Sequence, residues 1–271
     1  MPVIAMTMEV GTRGSEVAAG LARALNIASI GHEIVDRVAD KMQVKKSLLQ
    51  RLREGKASVL ERISTDQSEI AVYTAEEVLA IAQKGDVLIR GWGSTMLLRP
   101  VPHIVCVRIC APFETRVRSL MQRLDTDDEE FIRDEIQRSD EAHAAAMQSR
   151  FHVTWGDPLL YDLTLNTERV AIDSCVEQIV ALTRRPEFGE TPESRAKLDN
   201  LALEARVRAA FLADPETEDV RVTVVADGGK VALQGMVDTE KERAAASRVA
   251  KSVSGVTAVH SGLRTIRRPR R

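Results

Sequence analysis

Over the first two thirds of the chain, short unbroken apolar runs alternate with stretches of helical periodicity. The runs lie at 3–7, 27–30, 86–90, 103–110 and 162–166, and they are rich in Val, Ile and Leu. Runs of this length and composition predict strands buried on both faces. Helical patterns fill the gaps at 15–25, 33–42, 44–63, 66–84, 113–124, 127–150 and 172–182. In the second of these, Ile34, Val38 and Met42 recur at four-residue steps. Alternation of the two periods predicts an α/β domain with a parallel sheet and helices on both faces.

The texture changes at 184–195, a polar, proline-containing stretch read as a linker. Within it Thr191 is placed to cap a helix whose first residue is Pro192. Leu203, Val207, Ala210 and Phe211 then share a helical face. Val220, Val222 and Val224 alternate with Arg221 and Thr223, the period of a half-buried strand. Asp227-Gly228-Gly229 reads as a hairpin turn, and Val231 and Leu233 carry the alternation on to Gly235. Ala245, Val249 and Val253 make a second helical face, and a last strand is expected at 256–266, after Gly255. Gly235 and Gly255 are both expected at sharp turns. The order α-β-β-α-β makes 196–267 a small α+β domain, after a first domain over 1–183.

Composition narrows the picture only a little. The chain is 44% hydrophobic, 29% charged and 3% aromatic, so its cores are aliphatic. A formal charge of −2 excludes general attraction to nucleic acid or an acidic membrane. The basic end, Arg268 to Arg271 with Arg267 before it, is read as a solubilising tail. Cys106, Cys110 and Cys175 form no Cys-x-x-Cys pair and are expected as reduced thiols. No apolar stretch reaches the roughly 20 residues of a membrane helix. The expected location is the cytoplasm, and a homo-oligomer is left open.

Candidate chemistry gathers where the first strand ends in Gly11-Thr12-Arg13-Gly14-Ser15 and a helical pattern follows. Strand, glycine turn and helix together present backbone N–H groups to a phosphate. The turn lacks the Gly-Lys-Ser/Thr ending that brings a lysine to the phosphates and a hydroxyl to magnesium. Its glycines are expected where phosphate oxygens approach. His32, Glu33 and Asp36 offer a single histidine at a common spacing, so no metal site is assigned. His143, His152 and His260 carry no catalytic reading. Trp155 is read as a packing anchor, and Trp92, between glycines, as a base-stacking candidate.

These features resemble the cytidylate-kinase-like branch of the P-loop nucleoside monophosphate kinases. The carriers are the glycine turn with Glu16; 27–33; Val87-Leu88-Ile89-Arg90-Gly91-Trp92-Gly93; Val107 to Pro112 with the arginines after it; and Trp155-Gly156-Asp157-Pro158, Tyr161-Asp162-Leu163 and Asn166-Thr167. The resemblance implies a P-loop kinase-like fold that uses ATP and Mg2+ and transfers a phosphoryl group to a nucleoside monophosphate or similar small acceptor. It implies donor-phosphate binding at Gly11, Thr12, Arg13, Gly14 and Ser15. Acceptor binding falls to Arg90, Gly91, Trp92 and Gly93, and neutralisation of the moving phosphoryl group to Arg116, Arg123 and Arg138. Those arginines read equally as a solvated face balanced by Asp127, Asp128, Glu129 and Glu130. The chain departs from the family pattern at Ser15, at Gly31-His32, at Trp92 and near His143, each standing where the pattern has a cation. Loss of cations bears directly on a reaction that runs on positioning and charge.

The second domain resembles the BON domain through Val231-Ala232-Leu233-Gln234-Gly235-Met236-Val237 and Ser254-Gly255-Val256-Thr257-Ala258-Val259. That implies a non-enzymatic module for a lipid or other small ligand. Three readings stand together: an active phosphotransferase, a nucleotide sensor with little turnover coupled to the BON domain, and a scaffold.

Overall fold

The computed structural model describes residues 2–58, 60–61, 65–91 and 93–266. Trp92 and the basic tail lie outside the described residues. The chain divides into two compact units, 1–191 and 192–271.

The first unit is built on a parallel sheet of β1 (Val3–Met8), β2 (Ala28–Ile30), β3 (Val87–Arg90), β4 (Val105–Cys110) and β5 (Leu163–Asn166). Their order is β2-β3-β1-β4-β5. β1 therefore lies centrally, with Ile4 beside Leu88 on one side and Val105 on the other. The connections run to one edge first and then cross to the other side of β1. The carboxyl end of β1 is thus the point where an open α/β sheet offers a crevice.

Eight helices of this unit are described: α1 (Gly14–Leu25), α2 (His32–Met42), α3 (Lys46–Arg53), α4 (Gln67–Lys84), α5 (Ser94–Leu98), α6 (Phe113–Leu124), α7 (Glu129–Phe151) and α8 (Ile172–Thr183). Ile4, Met6, Val107 and Ile109 pack with Val17 and Leu21 of α1 and Cys175 and Ile179 of α8. On the opposite face, Cys106 Sγ lies 3.4 Å from the Thr95 carbonyl of α5. Burial pushes the Cys106 thiol up to about 12, so it stays protonated. The three cysteines are free.

The helix expected over 44–63 is interrupted. α3 ends at Arg53, and Gly55 follows at φ +71°. The N–H groups of Lys56 and Ala57 donate back to the Arg51 carbonyl at 2.8 and 3.1 Å. A left-handed glycine here closes the helix and satisfies its last carbonyls.

The second unit contains α9 (Pro192–Ala213), β6 (Thr223–Asp227), β7 (Lys230–Val237), α10 (Glu240–Ser252) and β8 (Ala258–Thr265). β6 and β7 pair antiparallel, β7 and β8 parallel. Leu203, Val207 and Phe211 of α9 and Val249 and Ala250 of α10 cover the buried residues of the sheet. Asp227 pairs with Lys230 across Gly228 and Gly229, whose φ values of +54° and +86° suit a two-residue hairpin turn.

A further expectation is corrected. Gly235 is no turn: it lies inside β7 opposite Leu263 at φ +137°, where an added Cβ would stand 3.4 Å from Val222. Within 184–195, residues Pro186–Phe188 form a 3₁₀ turn, Phe188 packs on the first core, and α9 begins at Pro192, where the sequence places it. An aromatic side chain within reach of a core is held by burial whatever the polarity around it.

Candidate functional site

β1 stops at Met8 in the middle of the sheet, and the chain passes through Glu9, Val10, Gly11, Thr12 and Arg13 into α1. Gly11 at φ +84° and Arg13 at φ +58° both adopt left-handed backbone. The loop is fastened from two sides. The Thr12 hydroxyl donates to the Glu9 carbonyl at 2.7 Å, and the Thr167 hydroxyl donates to the Thr12 carbonyl at 2.7 Å. α1 starts without a side-chain cap. Among the described residues, no protein acceptor takes the backbone N–H of Gly14 or Ser15. Such a helix start leaves backbone donors that an anion could take.

The two loop glycines are required by packing. A Cβ on Gly11 would meet the Arg116 carbonyl oxygen at 2.6 Å, and one on Gly14 would meet Met8 Cβ at 2.8 Å. The protein's own neighbours therefore call for glycine at both positions, whatever a ligand requires.

Above the loop is a cavity of about 190 Å³. Its wall runs from Thr7 to Ser15 and continues with Gly31, His32, Arg53, Arg90, Gly91, Arg123 and His143. Four arginines and one carboxylate, Glu9, line it. Arg90 buries its Nε with no hydrogen-bond partner. Arg53 has its pKa lowered, first by burial and also by the neighbouring Arg90. Arg123 is near enough to Glu16 to help hold its carboxyl below the usual range. Cations gathered this closely favour an anion beside them. Arg13 is different: it is half-exposed and paired with Glu16 at 2.6 Å, and this contact is the main reason the Glu16 carboxyl is held below its usual range.

Beneath the cavity lies a buried polar frame. Glu9 is salt-bridged to Arg108 and stands 3.7 Å from Arg116. Arg108 donates to the Trp155 carbonyl at 2.9 Å and lies 4.7 Å from the Trp155 ring centroid. Tyr161 donates to the same carbonyl at 2.7 Å, and Trp155 Nε1 donates to the Thr7 hydroxyl at 3.1 Å. His143 stacks on Trp155 with centroids 5.0 Å apart and planes 19° apart. Arg116, buried, grips Asp140 of α7 through two hydrogen bonds of 3.0 and 2.6 Å.

The structure brings Gly11, Thr12, Arg13, Gly14, Ser15, Arg90, Gly91 and Arg123 to one cavity. Arg116 lies beside the loop but spends its charge on Asp140 and Glu9. Arg138 pairs with Glu135 at 2.7 Å and stays off the cavity wall, and Gly93 packs toward Phe151. His143, marked in the sequence only as standing near a cation of the family pattern, is on the wall, and so is Arg53, which the sequence pattern did not single out. Arg53 had no specific signal, being one arginine of a charged helical stretch.

A phosphate group fits this donor set, because the loop N–H groups, Arg90 and Arg123 all present hydrogens. Magnesium fits less well. Among the described residues no three His, Cys, Asp or Glu come together as ligands, and Glu9 is already held by arginines.

The sequence model of the Cytidylate kinase-like family matches residues 3–169, and that of the BON domain matches residues 199–267. No curated protein matches the chain. An uncharacterized protein from Eubacterium ventriosum shares 20% identity over 68% of this chain and 100% of its own, with a TM-score of 0.53. Shikimate kinase from Acinetobacter baumannii, solved with shikimate, shares 12% over 67% of this chain and 92% of its own, at a TM-score of 0.40. The YorR protein of Bacillus subtilis, solved with phosphorylated GDP, shares 14% over 70% and 99%, at 0.38. The first of these likenesses supports the fold alone.

Proposed function

The chain belongs to the Cytidylate kinase-like family across residues 3–169, and from that premise we propose that its first unit binds ATP and transfers a phosphoryl group slowly to a nucleoside monophosphate or similar small acceptor. One observation carries the proposal: a cavity at the sheet's switch point whose wall is four arginines, free backbone N–H groups and a single neutralised carboxylate. The N–H groups of Gly14 and Ser15 receive donor phosphate oxygens. Arg123 offsets charge from the α6 side. Arg53 and Arg90 receive an anionic group of the acceptor from the β3 side. ATP, when bound, supplies the phosphoryl group.

Slow turnover follows from where the cations sit. Phosphoryl transfer depends on cations placed within a fraction of an ångström of the moving oxygens. Arg116 is committed to Asp140 and Arg13 to Glu16, so the two arginines nearest the loop are already paired. The same observation supports the second reading, a nucleotide sensor whose binding is coupled to the BON region. A lipid or other small ligand would then be the second input, at residues 199–267.

Calorimetric titration with ATP, ADP and CMP, with and without magnesium, tests binding. A coupled ADP-release assay tests turnover. ATP is expected to bind, with rates for CMP, UMP, AMP and GMP well below the roughly 1–100 per second of ordinary kinases. Absence of ATP binding refutes both readings, and brisk turnover refutes the slow one.

A further inference from the structure

Donors dominate the cavity wall: arginine side chains and backbone N–H groups. Glu9, its one carboxylate, already accepts from Arg108. His143 is the exception. Its Nδ1 lies 2.7 Å from the Ser139 carbonyl oxygen, one helical turn back on α7. A carbonyl only accepts, so Nδ1 carries the hydrogen and a neutral ring leaves Nε2 with a bare lone pair. Stacking on Trp155 fixes the ring plane, and no protein group takes Nε2 among the described residues. Burial is the first cause that lowers the His143 pKa; Arg53 adds to it, while the Ser139 carbonyl and Asp140 oppose it. A lone pair of this kind repels a phosphate oxygen and attracts an O–H.

We propose that His143 is the general base for a hydroxyl acceptor, so that the acceptor is a small alcohol carrying its own anionic group. This rests on the phosphotransferase reading above and replaces a phosphate acceptor oxygen by an alcohol oxygen. The anionic group meets Arg53 and Arg90, and the hydroxyl donates to Nε2 of His143. In the step, the alcohol oxygen bonds to the terminal phosphorus of ATP. The bond from that phosphorus to the bridging oxygen breaks, its electron pair leaving with ADP, and the hydroxyl proton passes to Nε2. The products are a phosphate monoester, ADP and an imidazolium that returns its proton to water.

The test offers the full chain ATP with glycerol 3-phosphate, ribose 5-phosphate or CMP and reads the product by phosphorus NMR. A new ester is expected with at least one of the sugar or glycerol phosphates, and no CDP. His143→Asn keeps the contact to Ser139 but removes the Nε2 lone pair, whereas His143→Gln keeps an acceptor near Nε2 that takes no proton. Both should lower kcat by about 10²-fold. KM should hold in the Gln variant and rise in the Asn variant. Nitrogen NMR of the unsubstituted protein covers the case in which the variants misfold: His143 Nε2 should be unprotonated and should shift when glycerol 3-phosphate or ribose 5-phosphate, whichever gives the ester, is added. Formation of CDP, ester formation unchanged in His143→Asn, no ester with either probe, or an unmoved Nε2 resonance would each overturn the proposal. ATP failing to bind in calorimetry would instead bring down the reading on which it rests.

Discussion

The two units handle buried polarity in opposite ways. In the second, the core around Leu203, Phe211, Leu233 and Val249 is aliphatic and aromatic, and its buried polar residues are Ser194 and Thr217 among those described. In the first, Thr7, Thr12, Arg108 and Arg116 are all buried at or near the carboxyl end of β1, with Glu9 almost so. Burying charge is expensive and is tolerated only where every partner is in place. Much of that expense in the first unit lies under the cavity, while Glu77, paired with Lys41 of α2, is buried away from it. The contrast teaches that a layered core of helices and sheet assembles in the second unit without such a frame, so layering alone does not require it.

The sharpest way to break this comparison is Arg108→Ala. It leaves Glu9 buried beside an empty space and removes a donor to the Trp155 carbonyl. The expected loss is about 3–5 kcal/mol in the first unit. Denaturant unfolding should show one transition moved and a second, from the BON region, unmoved. A shift below about 1 kcal/mol would mean that the frame is not what holds the site.

Gly14→Val comes next. Its Cβ would start 2.8 Å from Met8 Cβ at a buried position, so overpacking should cost about 1–3 kcal/mol. Nucleotide binding should weaken together with thermal stability. Loss of ATP binding with an unchanged melting temperature would restore ligand approach as the reason for the glycine.

The smallest effects separate two arginines of the same cavity. Arg123→Ala should weaken ATP binding by about 1.5–3 kcal/mol, the worth of a charge-assisted contact, and leave the melting temperature alone. Arg13→Ala should cost less than about 1 kcal/mol in either measurement, because its guanidinium is exposed and already paired with Glu16. Calorimetry on both variants decides; equal losses would assign Arg13 to the ligand as well.

Element order, the strand–glycine–helix turn and the hairpin at Gly228 were all legible in the sequence, since each follows from local periodicity or local backbone preference. α6 even starts and stops where its pattern does, at Phe113 and Leu124. The break after Arg53 was harder to read. Residues on either side of Gly55 keep a helical pattern, and a single glycine within it does not announce a left-handed cap.

By itself, then, the sequence determined two layered units and a phosphate-type turn, because burial of apolar faces and the geometry of glycine act over a few residues. Only the tertiary structure decided which cations reach that turn. Arg116 and Arg123 lie one above the other on α6, yet the first turns inward to Asp140 of α7 and the second faces the cavity. Arg53 and His143 arrive from α3 and α7, helices far apart along the chain. Charge pairing is settled by whichever opposite group the fold brings within a few ångströms, and no local pattern in the chain encodes that choice.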